Sequence, residues 1–100
     1  MKCKITRNAA KKLREVLEHE ENKELKIRAY VDHKHGDHAH YGLALDTPTE
    51  KDVVISTDKE IDVILEKDEE LLDGLVIDYL YIPEERFILT NPSKGNSGDH

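Results

Sequence analysis

The chain has 100 residues, a formal net charge of −7 with neutral histidines, and equal shares of hydrophobic and charged residues, 37% each. This length supports one domain with a modest core, and the acidic balance argues against nucleic acid as a partner, because phosphate binding requires a basic surface. No stretch approaches the roughly 20 apolar residues of a membrane helix, and the first residues lack the apolar run of a signal peptide. A single cysteine, Cys3, fits a reducing compartment, so we expect a cytoplasmic protein with no membrane partner.

The N-terminal half predicts a strand, a helix and two further strands. Residues 2–5 are compatible with a short first strand, and Thr6 is a suitable N-cap for a helix, with Asn8 as a weaker alternative. The apolar residues that then recur at helical spacing are Ala9, Ala10, Leu13, Val16 and Leu17, and the helix is expected to end near residues 21–22. Residues 25–32 alternate apolar and polar side chains, as a half-buried strand does, and residues 41–45 are typical of a returning strand.

The C-terminal half predicts four more strands and a short helical segment. The strands are expected at 53–56, 61–65, 75–82 and 86–90. Between the second and third of these, residues 66–73 are expected to form one or two helical turns, with Gly74 as their cap. No βαβ pattern is present, so we expect an α+β fold, sandwich-like or barrel-like and dominated by antiparallel strands. The domain is expected to span residues 1–92, with a loose tail at 93–100.

Three groups of residues share their order and spacing with a known family. They are Ile5-Thr6 followed by Ala9-Ala10 and Leu13; Tyr41-Gly42-Leu43; and Leu72-Asp73-Gly74 with Ile77-Asp78-Tyr79, Phe87 and Asn91-Pro92. Together they resemble the HesB/IscA family of A-type iron–sulfur carriers over nearly the whole chain. The resemblance implies a mainly β fold with a packed helix, a homo-oligomer, and proteins of iron–sulfur cluster assembly as partners.

The chain departs from this family at the expected metal ligands. The resemblance implies three cysteines that bind iron or an iron–sulfur cluster, one in a loop before Tyr41-Gly42 and two in the C-terminal tail. Counting without gaps places these positions at Gly36, at about Gly98 and at His100, and none of them is a cysteine. Since such clusters are held mostly by thiolates, we do not expect a conventional iron–sulfur cluster.

Residues 33–40 read His-Lys-His-Gly-Asp-His-Ala-His, with the histidines placed symmetrically about Gly36-Asp37. A Gly-Asp pair between two β-like segments predicts a two-residue hairpin turn, with Gly36 at the first central position of a type II′ turn. In that register His35 faces His38 and His33 faces His40. All four side chains then project from one side of the hairpin, with opposed residues about 5 Å apart.

Imidazole is the commonest protein ligand for divalent transition metals. His33, His35, His38 and His40 are therefore candidate ligands of Zn²⁺, Ni²⁺, Cu²⁺ or Fe²⁺, with Asp37 as an oxygen ligand or a hydrogen-bond acceptor. The family's tail approaches this loop, so the resemblance makes His100 a further candidate. Two alternatives stay open, namely a histidine cluster that senses pH and a solvated turn without a role.

The sequence thus supports two functions of different classes. The first is a metal-binding relative of the family that stores, delivers or senses a divalent metal, including iron for cluster assembly. The alternative is an interaction or regulatory module that retained the fold and lost the ligand chemistry. Cys3 is interpreted as a structural residue of the first strand. No motif of a known catalytic site is present, so we do not expect an enzyme.

Overall fold

The computed structural model describes residues 1–36 and 38–94. The helix and strands of this part are β1 (Cys3–Ile5), α1 (Arg7–His19), β2 (Lys26–His35), β3 (His38–Asp46), β4 (Asp52–Ser56), β5 (Asp62–Glu66), β6 (Leu75–Leu80) and β7 (Arg86–Thr90). A 3₁₀ turn, Glu70–Leu72, precedes β6, and a second one, Pro92–Lys94, follows β7. The predicted order of elements and the α+β fold are confirmed, and the one or two helical turns predicted within residues 66–73 are present as a single 3₁₀ turn.

Helix α1 begins at the predicted position. The Thr6 side-chain oxygen accepts a hydrogen bond from the Ala9 N–H at 3.3 Å, as an N-cap does. The same hydroxyl donates to Asp78 Oδ1 at 2.6 Å, which ties the start of the helix to β6. The helix ends at His19, slightly earlier than predicted. Neither α1 nor any other helix in the described part of the chain is long and apolar enough to span a membrane.

Two sheets enclose the core. One has the strand order β1-β6-β7, and the other has the order β3-β2-β5-β4. The pairs β2–β3, β4–β5 and β6–β7 are antiparallel, as predicted for the fold class, whereas β1–β6 and β2–β5 are parallel. The parallel pairs join strands that are distant in sequence, so no hairpin turn in the sequence predicts them.

A single apolar cluster joins the helix to both sheets. Strand β6 alternates buried and half-buried residues, the pattern of a strand with one face on the core. The side chains at the centre of this cluster, all with at most 2% of their surface exposed, include Ile5, Leu13, Ile27, Val63, Leu65, Leu72, Leu75 and Ile77. Burial of each large aliphatic side chain contributes about 1.5–3 kcal/mol, so this cluster supplies most of the driving force for the fold.

The β2–β3 hairpin contains a β-bulge. Val31 pairs with Tyr41, but the next pair is His33 with His40, which leaves Asp32 as an extra residue on β2. Because side chains alternate between faces along a strand, one extra residue changes the face on which the following residues lie. Val31 and Tyr41 pack against the core, whereas His33 and His40 lie on the opposite, outer face.

Candidate metal-binding site

Strands β2 and β3 bring the predicted histidines together in pairs. His33 lies opposite His40 and His35 lies opposite His38, which is the predicted register. The side chains of His33 and His40 are exposed, with ring centroids 6.3 Å apart and ring planes inclined by 31°. Two imidazoles that share a tetrahedral zinc ion, with N–Zn bonds of about 2.0–2.1 Å, have ring centroids roughly 5 Å apart. A small rotation of the side chains therefore suffices for this pair to share an ion.

The other predicted ligands stay predictions. Asp37 and His100 lie outside the described residues, and the assignment of His35 and His38 rests on their register alone. Gly36 has a φ of 61°, the positive value that the first central residue of a type I′ or II′ turn requires. Among the side chains that the structure describes, which do not include those of His35 and His38, no three His, Cys, Asp or Glu residues are grouped so that they could hold a metal ion. His33 and His40 would thus need further ligands, from side chains outside the described ones, to complete a tetrahedral site.

The core-facing side of the hairpin is attached to the 3₁₀ turn Glu70–Leu72 and the residue before it. Lys34 Nζ lies 2.6 Å from Glu69 Oε1. The Tyr41 hydroxyl donates to the Leu71 carbonyl oxygen at 2.9 Å. Both contacts are made on the face opposite to His33 and His40, so they hold the hairpin without covering the histidine pair.

Residues that carry the family resemblance meet at the same turn. The buried side-chain amide of Asn91 donates to the carbonyl oxygens of Leu71 and Asp73, at 2.7 and 2.8 Å. The Ser93 hydroxyl donates to Asn91 Oδ1 at 2.7 Å. Tyr41 and Asn91 thus share the Leu71 carbonyl oxygen as an acceptor. Ser93, the first residue of the tail, is therefore held beside the 3₁₀ turn that contacts the hairpin.

Gly74 lies between this turn and β6, where the sequence predicts a cap. Its φ of 95° is a conformation that other residues rarely adopt. A Cβ at this position would collide with the Ser93 hydroxyl and lie 3.0 Å from Asn91 Oδ1. The Gly74 N–H also donates to the Lys2 carbonyl at 2.8 Å, so glycine here lets three segments of the chain meet closely.

Cys3 lies in the other sheet from the hairpin, in β1, where it pairs with Leu75. It packs against the core, and burial raises the pKa of its thiol to about 12. Such a thiol is protonated at neutral pH, whereas the thiolate is the form that binds metal. This environment supports the structural role predicted for Cys3.

An ion pair on the outer face of the four-stranded sheet was not predicted. Arg28 donates to both carboxylate oxygens of Asp52, at 2.9 and 2.6 Å, and to Asp46 at 2.8 Å. The Asp52 side chain is 3% exposed and also accepts two hydrogen bonds from Thr49. The bonds from Arg28, supported by those from Thr49, outweigh burial and hold the pKa of Asp52 well below its usual range. The partners lie on different strands, so no local pattern could have indicated the pair.

The chain is similar in sequence to a group of bacterial proteins. No family model matches it. It is 33% identical over 95 residues to the iron–sulfur cluster insertion protein ErpA of Buchnera aphidicola subsp. Acyrthosiphon pisum (strain Tuc7). The match covers 93% of this chain and 83% of the relative, and ErpA of strain APS of the same organism matches with the same identity and coverage.

The fold is similar to two solved structures. The crystal structure of IscA with the [2Fe-2S] cluster has a TM-score of 0.68 at 22% identity, over 91% of this chain and 83% of that chain. Escherichia coli SufA, involved in biosynthesis of iron–sulfur clusters, also has a TM-score of 0.68, at 21% identity, over 90% and 80% of the two chains. At these identities the likeness concerns the fold, and it confirms the predicted architecture.

Proposed function

We propose a function from the premise that the chain belongs to the HesB/IscA family of A-type iron–sulfur carriers, as the 33% identity to ErpA over most of both chains establishes. The function is a role in the biogenesis of iron–sulfur clusters. It is not enzymatic: the protein binds a divalent transition metal, iron included, which it stores, delivers or senses. The metal is cargo, and proteins of cluster assembly are the expected partners.

The facing pair of His33 and His40 carries this proposal. Their rings are exposed at the tip of a hairpin that is held from its other face, and their centroids lie 6.3 Å apart. Imidazole nitrogens suit Zn²⁺, Ni²⁺, Cu²⁺ and Fe²⁺. His35 and His38 follow in register. Asp37 and His100 are the remaining candidate ligands.

A conventional iron–sulfur cluster does not fit the donors of this chain. Counting without gaps from the resemblance places the family's cysteines at Gly36, at about Gly98 and at His100, and none of these residues is a cysteine. The one thiol, that of Cys3, is in the other sheet, and its pKa is raised to about 12 by burial. Imidazole replaces thiolate only in part in known clusters, so histidine-bound metal ions are the better match to these residues.

Elemental analysis of the untagged protein, followed by calorimetric titration with Zn²⁺, Ni²⁺ and anaerobic Fe²⁺, tests the proposal. We expect near-stoichiometric metal and sub-micromolar affinity at neutral pH. A variant with alanine at all four hairpin histidines should lose this binding. His19→Ala, at an exposed histidine of α1, is the matched control and should keep it. Unchanged affinity in the four-histidine variant would show the site to be wrong, and a wild type without tight binding would refute metal handling.

A second candidate function is a protein-interaction module without metal chemistry. The connection between β6 and β7 favours it, because Ile82 is 80% exposed there beside Tyr81, which is 42% exposed. Exposed apolar groups of this kind often mark contact surfaces. On this alternative the wild type binds metal only weakly, and Ile82→Ser abolishes calorimetric binding to purified proteins of iron–sulfur cluster assembly. Two further predictions remain, namely that the protein forms a homo-oligomer and that it is cytoplasmic. Light scattering tests the oligomeric state.

A further inference from the structure

A positive charge lies within the histidine hairpin. Lys34 follows His33 in β2 and pairs with Ala39, whereas the flanking pair is His33 with His40. Alternation along the strands places Lys34 on the core-facing side, opposite to the histidine pair. An ammonium group so close to a cation site opposes the binding of a divalent ion. Metal binding at this tip is therefore stronger when the charge of Lys34 is held away or offset.

Glu69 provides the opposite charge. Its Oε1 lies 2.6 Å from Lys34 Nζ, and its side chain is only 15% exposed, against 53% for Lys34. The backbone at this residue is fixed on both sides, because the Glu69 N–H donates to the Glu66 carbonyl and the Glu69 carbonyl accepts from Leu72 N–H. The carboxylate thus belongs to a segment whose backbone is hydrogen-bonded on both sides, and the longer lysine side chain reaches to it.

The same segment is attached to the hairpin at a second point. The Tyr41 hydroxyl donates to the Leu71 carbonyl, two residues after Glu69, at 2.9 Å. Tyr41 and Lys34 share the core-facing side of the hairpin, so the two contacts keep Glu69 opposite Lys34.

We propose that Glu69 is a positioning residue that sets the metal affinity of the hairpin, by holding the Lys34 ammonium on the core-facing side and offsetting its charge. This inference rests on the proposed function, because it takes His33 and His40 to be metal ligands. It assigns a regulatory role to a residue outside the histidine segment, through a contact that leaves the histidines accessible.

The expected effects follow from the signs of the charges. In water, a single charge and a divalent ion roughly 10 Å apart interact strongly enough to change a binding constant about fourfold, before screening by salt. Glu69→Gln should therefore weaken Zn²⁺ binding about three- to fivefold at low ionic strength. Lys34→Met alone should leave the affinity equal or higher. The double variant should return to within about twofold of wild type, since it lacks both charges.

Calorimetric titration of the full chain with Zn²⁺, at low and at high salt, tests this pattern. Glu70→Gln is the matched control, because it removes an exposed carboxylate from the next residue, and we expect a smaller loss of affinity than in Glu69→Gln, since Glu69 is the carboxylate that contacts Lys34. Recovery of affinity in the double variant is a result that loss of structure cannot produce. A double variant as weak as Glu69→Gln, or Glu69→Gln with wild-type affinity, would overturn this inference alone. A wild type that binds no Zn²⁺ would overturn the proposed function and this inference together.

Discussion

Replacing Asn91 with alanine and Tyr41 with phenylalanine, singly and together, measures how firmly the start of the tail is joined to the hairpin. Both side chains donate to the Leu71 carbonyl oxygen, at 2.7 and 2.9 Å. Asn91 also donates to the Asp73 carbonyl and accepts from the Ser93 hydroxyl. Its side chain is fully buried, so water cannot replace these partners without a rearrangement.

The expected losses of unfolding free energy differ between the variants. Each net hydrogen bond is worth about 1 kcal/mol, so Tyr41→Phe should cost about 1 kcal/mol and Asn91→Ala about 2–4 kcal/mol. In either single variant the Leu71 carbonyl keeps one of its two side-chain donors. In the double variant it loses both, and an unsatisfied carbonyl costs roughly 1–2 kcal/mol more than the sum of the single losses. These are large fractions of the roughly 5–15 kcal/mol that stabilise a domain.

Urea unfolding followed by circular dichroism gives these free energies by linear extrapolation, provided that the slope is the same in all variants. Tyr30→Phe is a matched control, because Tyr30 lies on the outer face over Gly42, and it should change stability by less than about 0.5 kcal/mol. Single losses that add to within about 0.5 kcal/mol in the double variant would refute the shared acceptor. The tail and the hairpin would then be anchored independently.

Three further predictions concern other parts of the fold. Because Arg28 lowers the pKa of Asp52, their ion pair stabilises the protein above about pH 4, and this contribution is lost as the pH falls further. Asp52→Asn should therefore lower the free energy of unfolding in urea by about 2–3 kcal/mol at pH 7. A similar loss at pH 2 would contradict this. Gly74→Ala combines a positive φ with a collision at Ser93, so it should lower the unfolding free energy by about 1–3 kcal/mol, and a neutral result would show that the loop relaxes freely. Since burial raises the pKa of Cys3 to about 12, Ellman's reagent should label it very slowly in the native protein at pH 8 and quickly in urea, and fast native labelling would contradict the packed thiol.

The sequence contains the information for the bulge, although the predicted hairpin did not include it. A two-residue turn pairs each odd-numbered residue of one strand with an even-numbered residue of the other. The apolar residues are odd-numbered on both strands, however, with Ala29 and Val31 on β2 and Leu43 and Leu45 on β3. Both sets can reach the core only if one strand contains an extra residue, and the structure has it at Asp32.

Local patterns and long-range contacts differed in how well they could be predicted. The Thr6 cap and the alternation of the strands depend on neighbouring residues, so the sequence indicates them directly. The facing histidines depend on a turn of two residues and were predicted for the same reason. The contacts of Lys34 with Glu69 and of Arg28 with Asp52 join residues that are far apart in the chain. They follow from the parallel pairing and the packing of the 3₁₀ turn, which no short segment specifies.

The extra residue at Asp32 makes the hairpin tip a modular unit. Below it, side chains of β2 and β3 pack against the core, whereas above it His33 and His40 are exposed and Lys34 contacts Glu69. Ligands of another chemistry could therefore be grafted onto the positions of His33 and His40 without repacking the interior. In a scaffold with this separation, a few surface substitutions can change the chemistry that the hairpin presents, while the fold and the contacts of Asn91 stay the same.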